Sequence, residues 1–366
     1  MATTFLEPGG DADFGFGLWS SETNATIVSD IIHGGHQRSI RFPPNTNGSV
    51  LASSVVSTTA GRYSIYIYFV ALPHANPSVP IVLNQSGVGN TIVAVNVTTA
   101  GILQLLDNNG TQIGSNGSTI STGVWYRFSL AFTITSSTVN QFNFFLNGIQ
   151  NITKSNYSLP VTSPADLNIG NLLTDTTMDF RISDIYVDNS NALTDPGNIW
   201  VTAKRPFANG TTNGFTTRIG TGGSGYGSGH SPQVNERPNS DTNGWSIAGA
   251  GSAITEEYNI EGKSVGDINI QDAKIVDYRG WIRSKSLSSE TANIIVNGTT
   301  TNVSLTSTTK FFTQIAGSTT YPAGTGSDIG EISSTTVTTV SLYECGIVVA
   351  FIPPPLHLLS LLGVGT

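Results

Sequence analysis

The sequence predicts an all-β fold, and three observations carry that prediction. Only 11% of the 366 residues are charged, against roughly a quarter in an average soluble protein, so Ser, Thr, Asn and Gly must supply the surface polarity. That mixture suits strands and tight turns, because Thr fits a pleated surface and Asn and Gly accept the positive φ of turns. Apolar residues recur with a period of two, and no long stretch has the Ala/Leu/Glu/Lys bias of a helix.

The period is clearest in Trp125–Ile134, where Tyr126, Phe128, Leu130, Phe132 and Ile134 share one face and Arg127, Ser129 and Thr133 share the other. A helix would scatter those aromatics around its circumference. Gln141–Leu146 continues the alternation, and Asn147-Gly148 then turns the chain into Ile149–Thr153. Asn-Gly between alternating runs is a strong hairpin signal, since both positions accept positive φ. The dipeptide recurs at Asn47, Asn109, Asn116, Asn209, Asn213, Asn243 and Asn297, and each is read as a turn. Further strands are predicted at Arg62–Val70, Thr91–Val97, Asp179–Val187, Asp267–Val276, Trp281–Lys285, Thr309–Ile315 and Thr335–Phe351.

The polar stretch Asn189–Gly197 marks a boundary, dividing the chain into residues 1–188, 189–352 and a tail at 353–366. Gly220–Gly229 reads as an exposed loop of the second domain. Pro353-Pro-Pro355 stops the last strand, because each ring fixes φ and removes a donor. The apolar tail beyond it is too short for a bilayer, which needs about 20 residues.

A net charge of −8, with no run among the sixteen Lys and Arg, argues against nucleic acid as a partner. The single cysteine, Cys345, excludes an internal disulfide framework and reads as a small buried hydrophobe. The N-terminus has neither a basic nor an apolar segment of the secretory kind, which fits assembly in a cytoplasm. Asn-x-Ser/Thr triplets such as those at Asn24, Asn96 and Asn151 arise by chance in so Asn-, Ser- and Thr-rich a chain.

Residues 1–188 resemble the concanavalin A-like jelly rolls of laminin-G type. The motifs are His33-Gly-Gly-His-Gln-Arg-Ser-Ile-Arg-Phe42, Gly123-Val-Trp-Tyr126, the hairpin Phe144-Phe-Leu-Asn-Gly148 and the ending Asp179–Val187, where Ser183 replaces the first of two paired acids. Asn198–Pro206, Asn235–Trp245 and Thr339–Gly346 resemble the β-rich domain that follows such jelly rolls in tailed-phage virion proteins. The resemblance implies a jelly-roll sandwich followed by a second β-sandwich and a short extended tail. It implies a virion component, a capsid decoration, head fibre or tail fibre, whose partners are other virion proteins and its own copies in a homotrimer or other homo-oligomer. The alternative is a lectin or adhesin for host-surface glycan.

Candidate binding residues are Tyr66 and Tyr68, which point away from the core if Ile65, Ile67 and Phe69 face it, and Trp125, either a sugar platform or edge packing. Asp107, Asp179, Asp184 and Asp188 are the carboxylates a rim calcium could use, but they lack the spacing of a calcium loop. His33 and His36 have a spacing that suits a metal on a helix, whereas two glycines separate them at a strand edge, so no metal or cofactor is expected. Glu256 and Glu257 are adjacent and point to opposite faces of a strand, and no G-x-S-x-G elbow is present, so no catalytic constellation is visible and a non-enzymatic role is expected. Leu356, Leu358, Leu359, Leu361 and Leu362 make the tail a candidate assembly element, because so apolar a run must be covered.

Overall fold

A computed structural model of the chain describes residues 3–8, 19–52, 59–74, 78–85, 91–159, 164–172, 177–215, 217–219, 244–247, 254–264, 268–287, 290–296, 299–308, 310–313, 328–333 and 339–354. No helix occurs among them. The leucines of the tail and the Gly220–Gly229 segment lie outside the described residues.

The first sandwich is built from β1 (Thr3–Glu7), β2 (Ser21–Thr23), β3 (Thr26–Val28), β4 (Ser39–Phe42), β5 (Ser49–Ala52), β6 (Ala60–Ala71), β7 (Ser78–Gln85) and β8 (Thr91–Val97). It continues through β9 (Leu103–Leu106), β10 (Gln112–Ile113), β11 (Trp125–Ile134), β12 (Asn140–Leu146), β13 (Ile149–Lys154), β14 (Pro164–Gly170) and β15 (Asp179–Asp188). One sheet runs β13-β12-β11-β6-β15-β4-β3, with β1 on the same edge of β15 as β4, and the other runs β10-β9-β8-β7-β14-β5-β2. All pairings are antiparallel, and the core lies between the two inner faces.

Phe128, Leu130, Phe132 and Ile134 fill that core as the alternation predicts, with Phe128 edge-on to Phe144 at 5.4 Å between centroids. Asn147 and Gly148 form the predicted turn with φ of 52° and 85°, the signs a type I′ hairpin requires.

The second sandwich comprises β16 (Trp200–Lys204), β17 (Pro206–Asn213), β18 (Thr217–Ile219), β19 (Gly244–Ile247), β20 (Ile254–Ile260) and β21 (Lys274–Ser286). Its remaining strands are β22 (Glu290–Val296), β23 (Thr299–Leu305), β24 (Lys310–Thr313), β25 (Asp328–Ser333) and β26 (Val340–Ile352). They form a β18-β19-β26-β21-β24 sheet, with β16 on β26, and a β17-β20-β25-β22-β23 sheet. Cys345 is buried in its core.

Two local expectations are corrected. The strand predicted from Asp267 starts only at Lys274, because Asn269 caps the Gln271 amide at 2.9 Å and Ala273 N–H donates to the Ile270 carbonyl, closing a turn; it then runs without a break through Trp281–Lys285. Asn209-Gly210 is not a turn but part of β17, at a register shift where a Cβ on residue 210 would stand 2.6 Å from Glu257. Glycine is there for a close approach of two strands.

The sandwiches meet through an apolar patch in which Leu6 and Tyr186 of the first pack with Val201, Ala203, Trp281, Val348 and Ala350 of the second. Above it, the segment 189–199 lies against the polar outer face of β11 and β12. Arg127 pairs with Asp195, and the Asn143 amide donates to the Leu193 carbonyl at 2.8 Å.

Candidate functional site

Among the described residues, His33, His36 and Asp184 form a cluster of potential metal-ligating side chains where the sandwiches meet. On one edge of β15, β4 pairs as far as Ile182 and β1 begins at Ile185. Across β6 the register shifts between Ser183 and Tyr186, so the core face passes from Phe180 and Ile182 to Ile185 and Val187. Asp184, at φ 52°, is the residue inserted by this bulge. Its carboxylate is fully buried and accepts from His33 Nδ1 at 2.7 Å, His36 Nε2 at 2.8 Å and the Val201 amide at 2.6 Å. Burial alone would raise its pKa; the charge of His36 and hydrogen bonds from both imidazoles outweigh burial and hold the carboxyl well below the usual carboxylate range.

Both histidines come from the loop between β3 and β4. His36 N–H donates to the His33 carbonyl at 3.1 Å, closing a turn in which Gly34 has φ 57°. Trp125 Nε1 donates to the Ile32 carbonyl at 3.0 Å and fastens the loop to β11. The two intervening glycines at a strand edge had counted against this histidine pair, but Gly34 at positive φ lets the chain reverse and bring both rings to one carboxylate.

The aromatic candidates gather around the same point. Tyr66 stacks on His33 at 3.9 Å, Trp125 and Trp200 lie 5.2 and 5.0 Å from it, and Tyr68 lies 5.5 Å from Trp125. Tyr66 is buried and donates its hydroxyl to Asn198, and burial pushes its phenol up to about 12 despite the charge of Arg127. Tyr66 therefore fixes the junction from within; Tyr68 and Trp125 remain partly exposed. Trp200 and Asn198, absent from the sequence-based candidates, complete the ring.

The four carboxylates considered for calcium do not converge. Asp107 caps the Asn109 and Thr111 amides, Asp179 pairs with Arg41 and Arg181, and Asp188 with Arg62. Glu256 is buried and accepts from the Phe215 amide at 2.8 Å.

A second feature lies on the outer face of the seven-stranded sheet, a trough of about 550 Å³. Register aligns Ser21, Leu51, Asn168, Val82, Ala94, Leu106 and Gln112 in one row across it. Val79, Val82, Ala94 and Leu106 form an apolar floor, and Asn47, Asn84, Asn108, Asn168 and Asn171 surround it. Alongside, Asn96 donates to Gln104 at 2.9 Å and Gln104 to Gln112 at 3.0 Å, a chain of amides across three strands.

No family model matches this sequence, and no curated protein matches it. Among solved structures, an endo-β-1,4-glucuronan lyase from Trichoderma reesei is similar at 13% identity and a TM-score of 0.41, over 53% of this chain and 98% of that one. The cellulose-induced protein is similar at 12% identity and a TM-score of 0.38, over 47% of this chain and 88% of that one. A sialidase of Trypanosoma rangeli follows at 12% identity and 0.36, over 46% of this chain and 27% of that one. At these values nothing about ligand or reaction is carried over from them. The expectation of a non-enzymatic chain is nevertheless corrected. Fold does not decide function, so a β-sandwich is by itself no ground for excluding catalysis. Moreover, His33, His36 and Asp184, scattered in sequence, form a constellation that a search for paired acids could not show.

Proposed function

We propose that the first sandwich binds a neutral glycan in the trough of the seven-stranded sheet. The observation that carries this reading is the lining: an apolar floor flanked by five asparagines, with Asp107 as the one charged residue, already engaged by Tyr157 and by backbone amides. A primary amide offers both donors and an acceptor, which matches vicinal hydroxyls, while the floor suits the C–H face of a pyranose; Asn171 is the exception, its Nδ2 being engaged by the Pro43 and Met178 carbonyls. The volume is in the range of small-ligand sites. The resemblance of the sequence to tailed-phage virion proteins supports host-surface glycan as the source and display on a particle as the setting.

Calorimetric titration with neutral oligosaccharides tests the reading. Binding should be saturable and should weaken about 2- to 12-fold in Asn84→Ala, since one lost hydrogen bond to a neutral partner is worth roughly 0.5–1.5 kcal/mol, and more than about tenfold in Ala94→Phe, which fills the floor. Affinity unchanged in both variants, or none for any neutral glycan, overturns it. Assaying the same mixtures for new reducing or unsaturated ends shows whether cleavage accompanies binding.

A further inference from the structure

We propose that His33, His36 and Asp184 hold a divalent transition-metal ion at the junction of the two sandwiches. Three donor atoms, His33 Nδ1, His36 Nε2 and an Asp184 oxygen, lie within 4.8 Å of one another. Two imidazoles and one carboxylate form a borderline set that suits zinc or its first-row neighbours, while calcium and magnesium take all-oxygen shells. Three protein ligands leave a coordination position open, and His33, with 10% of its side chain exposed, lies on the side an ion would enter from.

The backbone around the site is built to hold the three groups in place. Asp184 occupies a bulge at positive φ, at the gap between β4 and β1, and the Val201 amide fixes its carboxylate. Gly34 has positive φ in the turn joining the histidines, and a Cβ there would stand 2.6 Å from the Trp200 ring. The His33 ring is clamped by Tyr66. Outer contacts of this kind are how proteins orient metal ligands. All three ligands belong to the first sandwich, while the second supplies the Val201 amide and the Trp200 ring that flank them. Binding of the ion requires each imidazole to surrender the proton it shares with Asp184, either to its other nitrogen or to solvent. This inference is independent of the glycan reading.

The test uses the full chain, stripped with a chelator and titrated with Zn²⁺ and separately with Co²⁺. About one equivalent per chain should bind, and Zn²⁺ should raise the unfolding temperature. Long-range ¹H–¹⁵N spectra should show two of the five histidines shifting, one coordinated through Nδ1 and the other through Nε2. His36→Ala and His33→Gln should each weaken binding more than about 100-fold, because even loss of an outer partner costs 10–100-fold. The spectra of the unaltered chain carry the test where a variant fails to fold. No stoichiometric uptake of either ion, uptake that shifts other histidines, or uptake undiminished in folded variants would overturn the proposal and leave a metal-free His–Asp–His hydrogen-bond network.

Discussion

Replacing Arg127 with methionine removes the guanidinium that ties β11 to the segment entering the second sandwich. Its Nη1 and Nη2 donate to Asp195 Oδ1 and Oδ2 at 2.7 and 2.8 Å, and Nη1 also donates to the Gly197 carbonyl. The side chains are only 8% and 16% exposed, so the substitution strands a carboxylate that water reaches poorly. Breaking a buried pair from one side costs about 3–5 kcal/mol, and the residual access of water to Asp195 places this one near 3. Because the interaction is local, amide hydrogen exchange is the assay: the Ala192 and Gly197 amides, bonded to Ser190 and Asp195, should exchange about 100-fold faster, as ~3 kcal/mol of lost local stability implies. Asp195→Leu should give a similar effect, and the double variant should lose less than the sum of the two, since neither charge is then stranded. Exchange within about threefold of wild type in Arg127→Met, or strictly additive losses, would refute the view that this pair holds the segment down.

Phe128→Ala, at a core position in contact with the Phe144 ring, should destabilise the first sandwich by about 3–5 kcal/mol in a urea titration; a loss below ~1 kcal/mol would mean that the strand faces are misassigned. Tyr63 is buried in the same core, and burial pushes its phenol well above the usual tyrosine value. The folded state therefore keeps its proton while the unfolded chain ionises near pH 10, so the stabilisation is complete below about pH 10 and is lost as pH rises further. Denaturation midpoints followed from pH 8 to 11.5 should fall less steeply in Tyr63→Phe than in the unaltered chain; parallel curves would refute the assignment.

Much of the first sandwich was legible because its signals are local. Alternation along Trp125–Ile134 assigns Phe128, Leu130 and Phe132 to the core, since successive side chains of a strand point to opposite faces wherever that strand sits. Asn147-Gly148 fixes a hairpin because positive φ is a property of those two residues. The same reasoning pointed Tyr66 and Tyr68 away from the core, where Tyr66 packs on His33. Asn209-Gly210 shows the limit: a dipeptide that permits a turn does not require one when an adjacent strand, here β20, needs the space.

The sequence by itself determined the class of structure, the strand faces and the aromatic face that borders the candidate metal site, all of which follow from side-chain period and turn chemistry. Tertiary structure alone decided what covers those faces. Arg127 and Ser129 lie on the polar side of β11 yet are buried, because residues 193–197 return over them. The trough is lined from five adjacent strands, β5, β14, β7, β8 and β9, and a one-residue slip in β7, β8 or β9 would turn its floor toward the core. His33 and His36 reach Asp184 across about 150 positions, through a glycine turn on one side and a bulge on the other. Bulges and registers are set by what pairs across the sheet, and that information is not contained in any single stretch of chain.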